Sequence, residues 1–188
     1  VDFTFNEFKE DINLSIEIFK NKLGYNPIFF SYPFGEYSLM QKKYISQKFD
    51  FAFGQHSGVI DINKDQYELS RFPINEKYGD LKRFEFLVNL FPLQYKKLIP
   101  EEKYINSSTN PPDFSVEFFE KQKNINNINC FSDEGNKWKK SSIIIQKNIL
   151  KIKFRDKFLF RRGRINCSLN DNGKWRWFGT QFSVKSNS

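Results

Sequence analysis

A loop that could present a backbone donor follows the first apolar run of the chain. Residues 28–30 are apolar and lead into Ser31-Tyr32-Pro33-Phe34-Gly35. Pro33 fixes its own φ and pushes Tyr32 toward extended conformations, while Gly35 permits a turn that other residues resist. A stiff loop at the carboxyl end of a buried strand can aim an N–H group into a pocket. The same pattern is also typical of an ordinary βα turn with aromatic packing.

Two further polar residues follow predicted strands. His56 is the single histidine and lies in the QHSG loop at 55–58, where it is either a polar turn residue or a ligand or base. Arg71 lies within the predicted strand 67–75, where it is either solvated at a sheet edge or able to orient a carboxylate bidentately. With one His, two Cys and no paired Asp-Asp, the chain contains no recognisable metal triad.

The charge of the chain is unevenly distributed. Residues 1–110 carry 14 Lys/Arg against 15 Asp/Glu, whereas residues 111–188 carry 16 against 7, which accounts for the net charge of +8. The stretch 137–164 holds 11 Lys/Arg and the single acid Asp156, with Trp138 and several Phe between them. Such a stretch can bind single-stranded nucleic acid, face solvent as an ordinary sheet surface, or adhere to an anionic glycan. We expect no specific nucleic-acid partner.

The two cysteines, Cys130 and Cys167, both lie in the basic region. They form a disulfide if the protein is exported, or they are two buried thiols on facing strands. Trp175 and Trp177 alternate on one face of the last predicted strand, as a sugar platform or as core residues.

The elements that must position these residues fall into two regions. Capping boxes at 4–7 and 38–41 predict helices, and apolar runs at 27–32 and 51–53 predict buried strands, which is the alternation of an α/β fold. A third helix is predicted after Gly79, with Leu81, Phe84, Leu87, Val88 and Phe91 packed inward. Beyond a polar stretch, seven short strands predict a small β-sandwich. We therefore expect a domain at 1–100, a linker at 101–112 and a second domain at 113–188.

Three segments, LGYNPIFFSYPFGEYS, FDFAFGQHSGVID and YELSRFPIN, in this order, resemble the carboxyl half of a polysaccharide deacetylase of carbohydrate esterase family 4, the NodB-homology group. The resemblance covers residues 4–79. It implies the α/β class, with a partial distorted (β/α) barrel followed by a small all-β sandwich-like domain. It also implies an amino-sugar polysaccharide substrate, and a bacterial enzyme that is periplasmic, in the cell envelope or secreted.

The resemblance assigns roles to the candidate residues. The backbone N–H of Phe34 would be the oxyanion donor, and Arg71 would orient the catalytic Asp in place of the family's Arg, where this chain has Ser31. The divalent metal of the family, zinc or similar, would belong to the full-length parent, since its ligands lie upstream of this segment. The remaining candidates, as substrate-binding residues, are Ser31, Tyr32, Pro33, Gly35 and His56.

The sequence therefore predicts a fragment of a metal-dependent deacetylase that removes N-acetyl groups and binds no metal by itself. Because the chain starts at Val1, we expect it to belong to a longer protein; it shows no signal peptide and no apolar run of about 18 residues. The alternative is a non-catalytic β-sandwich module that binds an anionic glycan or another polyanion.

Overall fold

The structure is a computed structural model that describes residues 4–120, 124–159 and 161–185. Within these ranges the chain forms three helices and twelve strands. In chain order they are α1 (Phe5–Leu23), β1 (Phe29–Ser31), α2 (Leu39–Ile45), β2 (Phe51–Phe53), α3 (Leu81–Val88), β3 (Phe91–Pro92), β4 (Lys97–Ile99), β5 (Tyr104–Ile105), β6 (Ser115–Glu117), β7 (Asn129–Ser132), β8 (Lys139–Lys140), β9 (Ser142–Gln146), β10 (Ile149–Lys153), β11 (Arg162–Asp171) and β12 (Lys174–Val184).

Both predicted capping boxes are confirmed. The Thr4 side chain accepts a hydrogen bond from the Glu7 amide, and the Glu7 carboxylate accepts one from the Thr4 amide. Ser38 and Gln41 form the same reciprocal pair at the start of α2. These bonds satisfy amide groups that have no partner within the first turn, so the short polar signals fix where each helix begins.

Helices α1 and α2 cover a two-stranded parallel sheet. Strand β1 pairs with β2 in the register Phe29–Phe51, Phe30–Ala52 and Ser31–Phe53. A small apolar core lies beneath, formed by Ile12, Tyr32, Tyr37, Ile45, Phe49 and Ala52.

The predicted α/β class with a partial distorted (β/α) barrel is wrong. Between residues 4 and 90, parallel pairing is limited to β1 with β2 and a single bridge between Phe53 and Leu69. The predicted strand 67–75 contributes only that bridge. Helix α3 leads into β3, which pairs with β12 of another sheet and not with β2. No further strand is added to the β1–β2 sheet beyond that bridge, so the described residues form no barrel.

Helix α3 also differs from its prediction. It begins with an N-cap at Asp80, but none of its residues is buried, and Leu81 is 83% exposed. The prediction that its apolar residues pack inward is therefore wrong for Leu81, Phe84 and Val88, which are exposed, whereas Leu87 is half-buried. Phe91, also predicted to pack inward from this helix, lies in β3 and is 42% exposed.

Most of the chain is a β-sandwich-like arrangement of two sheets. One sheet has four strands in the order β4-β6-β10-β9. The other has six, with β3-β12-β11-β7-β8 in order and β5 also paired with β12. Side chains from both sheets form one apolar core, in which Phe114, Val116, Leu150, Ile165 and Phe182 are fully buried. The structure is thus predominantly β.

Cys130 and Cys167 form a disulfide across neighbouring strands. They are directly opposite in the antiparallel pairing of β7 with β11. Of the two alternatives left open by the sequence, the structure contains the bonded one. The β11–β12 hairpin is also as predicted, because Asn172 and Gly173 both have positive φ and the Gly173 amide donates to the Asn170 side chain at 2.8 Å.

The outer face of the six-stranded sheet is covered by the first part of the chain. A Cβ atom at Gly179 would lie 2.0 Å from the Ser57 carbonyl oxygen, so the loop after β2 rests on the β12 backbone. Trp175 and Trp177 also lie outside the sandwich core, where their rings contact Phe86 and Phe72 respectively.

Residues 91–105 contribute strands to both sheets, although they precede or overlap the predicted linker. The division into 1–100, 101–112 and 113–188 stays a prediction. No helix in the described ranges is long and apolar enough to cross a membrane.

Candidate functional site

The loop predicted to hold the oxyanion donor has an unusual backbone. Phe34 has φ 57° and ψ 8°, a left-handed conformation that is uncommon outside glycine. The Gln181 side-chain amide donates to the carbonyl oxygens of both Phe34 and Gly35 at 3.1 Å. A Cβ atom at Gly35 would lie 2.6 Å from the Gln55 backbone nitrogen, which explains the glycine. Strand β12 therefore holds this loop in place.

The other residues of this loop differ in their exposure to solvent. Tyr32 is buried, and its hydroxyl donates to the Tyr67 carbonyl oxygen at 3.0 Å. Ser31 and Pro33 are exposed. The loop borders an apolar groove of about 460 Å³ lined by Phe8, Ile12, Phe29, Phe30 and Phe34. The predicted roles of Phe34 and of the substrate-binding residues stay predictions.

A charged pair lies at the end of this groove. The Glu36 carboxylate is 3.6 Å from Arg161 Nε, and the Arg161 guanidinium lies 4.8 Å from the Phe34 ring centroid. The groove is otherwise mainly aromatic and aliphatic.

Arg71 lies in a different place from Phe34. Its amide donates to the His56 carbonyl oxygen at 3.1 Å, and its Nε donates to the Gly54 carbonyl oxygen at 3.2 Å. The structure therefore brings together Arg71 and His56, which the sequence presented as separate candidates. It does not place Arg71 in the groove lined by Phe34. The role of Arg71 in orienting an Asp stays a prediction.

His56 is buried, with 8% of its surface exposed. Burial disfavours the imidazolium ion and lowers the pKa of His56 to about 4, against an opposing effect of Glu68. The ring is therefore neutral at pH 7. It adds no positive charge to its surroundings.

A polar cavity of about 200 Å³ separates the loop after β2 from the outer face of β11. We call it the arginine pocket, and the lining residues used below are Ser57, Arg71, Trp138, Arg162, Arg164 and Asn166. Basic, aromatic and neutral polar side chains from four separate segments of the chain meet in this pocket.

The period of strand β11 positions three of these side chains. Ile165 and Cys167 face the sandwich core, so the alternate residues Arg162, Arg164 and Asn166 share the opposite face. Because the ladder with β7 and β12 fixes the backbone on both sides, the three side chains are held on a rigid element.

Each guanidinium group of the pocket has one hydrogen-bonded nitrogen within the described residues. Arg162 Nη1 donates to Gln55 Oε1 at 3.2 Å, and Arg164 Nε donates to Asp133 Oδ2 at 2.6 Å. The third, Arg71, uses the Gly54 carbonyl oxygen described above. Since a guanidinium has five N–H donors, most of their donor capacity remains.

The pocket therefore has an excess of positive charge. Of the three arginines, Arg164 pairs with a carboxylate within the described part of the chain, that of Asp133, which is almost fully buried. The Arg164 guanidinium also lies 5.4 Å from the Trp138 ring centroid, and Trp138 is 47% exposed. Arginines held in this way bind planar anionic groups through paired hydrogen bonds.

The residues present do not fit the divalent metal that the resemblance implies for the parent protein. Among residues 4–120, 124–159 and 161–185 there is no group of three or more His, Cys, Asp or Glu side chains that could hold a metal ion. The donor set of the arginine pocket is cationic, and it would repel one.

The sequence analysis named Arg71 and His56 but did not connect them with residues on β11. The signal was present in RGRIN, where Arg162, Arg164 and Asn166 alternate with residues of small or apolar type. No local sequence pattern predicts that this face of β11 lies against the 55–57 loop, which is about a hundred residues earlier in the chain.

Comparisons with known proteins give little further information. No family model and no curated protein matches this chain. Among solved structures, the crystal structure of PcoC, a methionine-rich copper resistance protein from Escherichia coli, is similar with a TM-score of 0.35 and 11% sequence identity. The match covers 50% of this chain and 100% of that chain. A likeness at this level carries no argument about function.

The description of the chain as a polysaccharide deacetylase with a (β/α) barrel is thus corrected. The structure is predominantly β, and the described residues form no barrel. The resemblance of the three quoted segments is not tested by these comparisons and stays a prediction.

Proposed function

We propose that this chain is a non-catalytic β-sandwich module that binds an anionic glycan or another polyanion. The observation that carries the proposal is the arginine pocket, which three arginines line and where one of them, Arg164, pairs with a carboxylate. A polymer with repeated anionic groups would bind there with the charge-assisted hydrogen bonds that arginine forms best.

Charge elsewhere on the sandwich favours the same partner. Lys151 and Lys153 are exposed on the outer face of β10, and neither pairs with a carboxylate within the described residues. Exposed cations of this kind raise the rate of encounter with a polyanion, and they add little to specificity.

The Cys130–Cys167 disulfide supports an oxidising compartment. We therefore place the protein in the periplasm, in the cell envelope or outside the cell, where anionic polysaccharides are abundant.

The test is retention of the chain on a heparin column, measured as the salt concentration at elution. We expect retention that weakens steeply with salt, because each ionic contact is screened. Arg162→Gln should elute at lower salt than the unchanged chain. The matched control is Lys20→Gln, which removes one positive charge from the last turn of α1.

The control variant should elute close to the unchanged chain. No retention at low salt would overturn the proposal. Equal decreases in the elution salt concentration for Arg162→Gln and Lys20→Gln would also overturn it, because retention would then depend only on net charge.

A further inference from the structure

We propose that the arginine pocket binds one carboxylate-bearing sugar unit, a hexuronic acid, with the carboxylate on Arg162 and Arg71 and the sugar ring against Trp138. This inference rests on the proposed function and names the chemistry of the unit that the pocket selects.

The size of the pocket limits the ligand to one sugar unit. Its volume of about 200 Å³ is smaller than the roughly 300–1,000 Å³ of sites for drug-sized molecules. The outer part of the cavity is bordered by the exposed Trp138, so neighbouring units of a polymer can continue into solvent.

The charges favour a singly charged planar anion. Arg164 is already paired with Asp133 through both its backbone amide and its Nε, each at 2.6 Å, so its charge is largely compensated. Arg71 and Arg162 have neutral protein partners, a carbonyl and an amide oxygen. Two guanidinium groups with free N–H donors match the two oxygens of a carboxylate.

The remaining side chains suit a sugar ring. Trp138 offers an apolar aromatic surface, and Asn166 and Ser57 offer a neutral amide and a hydroxyl that can donate and accept hydrogen bonds with ring hydroxyls. A bare phosphate or sulfate ion would use the arginines but not the indole. The pocket therefore combines one ionic contact with several contacts to an uncharged polar ring.

The experiment is an NMR titration of the full chain, labelled with ¹⁵N, with trigalacturonate. Two comparison ligands are the fully methyl-esterified trisaccharide, which keeps the rings but has no charge, and a short oligothymidylate. We expect amide shifts around residues 55–57 and 162–166, and at least tenfold weaker binding of the methyl ester.

Three variants locate the site. Arg162→Gln should weaken trigalacturonate binding by about 10- to 100-fold, as for loss of a charge-assisted hydrogen bond. Trp138→Ala, at an exposed position, should weaken binding of the acid by severalfold. The paired control Lys20→Gln and Lys22→Gln removes two charges from the last turn of α1 and should leave trigalacturonate binding within about twofold.

The outcomes separate this inference from the proposed function. Retention on heparin together with equal binding of the acid and its methyl ester would overturn the inference and leave the polyanion module intact. Tighter binding of oligothymidylate than of trigalacturonate would also overturn it. Loss of trigalacturonate binding in Arg162→Gln, with the Lys20/Lys22 control unchanged and both variants folded by their NMR spectra, would support it.

Discussion

The pKa of His56 shows how burial changes the acid–base chemistry of a single side chain. The imidazole lies close to the Gly54 backbone, where a Cβ atom would be 2.8 Å from His56 Nδ1. Burial lowers its pKa to about 4; the nearby Glu68 charge opposes this shift and the Lys103 charge adds to it. A histidine in a loop would be expected to titrate near 6.5, so burial decides the protonation state.

We predict that the His56 ring titrates with a midpoint near pH 4. Because the chain has a single histidine, its ring C–H signals in an NMR pH titration need no assignment. The same titration of the unfolded chain in urea should give a midpoint near 6.5, which serves as the control. A midpoint above 6 in the folded protein would contradict the burial of the ring.

The linked effect on stability has a defined sign. Between pH 6.5 and pH 4 the unfolded chain binds a proton that the folded chain does not, so the free energy of unfolding falls as pH is lowered through this window. Below pH 4 the titration of His56 lowers the free energy of unfolding by about 3 kcal/mol relative to pH 7, because its pKa differs by roughly 2.5 between the folded and the unfolded chain.

The β7–β11 pair shows how an element is stabilised by a long-range link. Cys130 and Cys167 are 37 residues apart in the chain and are opposite partners in the ladder. Closing a loop of this length restricts the unfolded chain, and the two half-cystines are themselves fully buried in the sandwich core.

We predict that replacing both cysteines by alanine lowers the free energy of unfolding by about 4 kcal/mol. Urea unfolding followed by tryptophan fluorescence measures the change. Adding dithiothreitol should destabilise the unchanged chain by a similar amount and leave the double variant unaffected. An unchanged midpoint in the double variant would show that the bond adds no stability.

The molecule as a whole depends on the contact between its first part and the six-stranded sheet. The Gly179 position allows the Ser57 carbonyl to approach the β12 backbone, and Gln181 on the same strand holds the loop at Phe34. The arginine pocket exists because this contact brings the 55–57 loop over β11.

We predict that Gly179→Ala separates this loop from the sheet. The added methyl group would lie 2.0 Å from the Ser57 carbonyl oxygen, so we expect a loss of about 1–3 kcal/mol in unfolding free energy. Amide shifts at 55–58 would report the displacement, and heparin retention should fall because the pocket opens.

The matched control is Gly24→Ala, where no atom lies within 4 Å of the added methyl group. Its positive φ should cost about 1 kcal/mol without changing amide shifts at 55–58. Identical shifts at 55–58 in Gly179→Ala and the unchanged chain would mean that the loop does not rest on β12.

The sequence predicted much of the local structure of this protein. The two capping boxes, the strands at 29–31 and 51–53 and the turn at Asn172-Gly173 were identified, because each signal lies within a few neighbouring residues. The predicted burial of the first strand was wrong, since Phe29 is 57% exposed. The alternation in β11 also indicated which residues share a face.

The sequence by itself therefore determined the local elements, the period of the strands and the basic character of the second half. Only the tertiary structure decided that the parallel pair β1–β2 is not extended into a barrel, that Cys130 bonds to Cys167, and that Arg71 meets Arg162 and Trp138. The physical reason is that capping and side-chain period act over a few residues, whereas strand pairing and pocket formation depend on contacts between segments far apart in the chain.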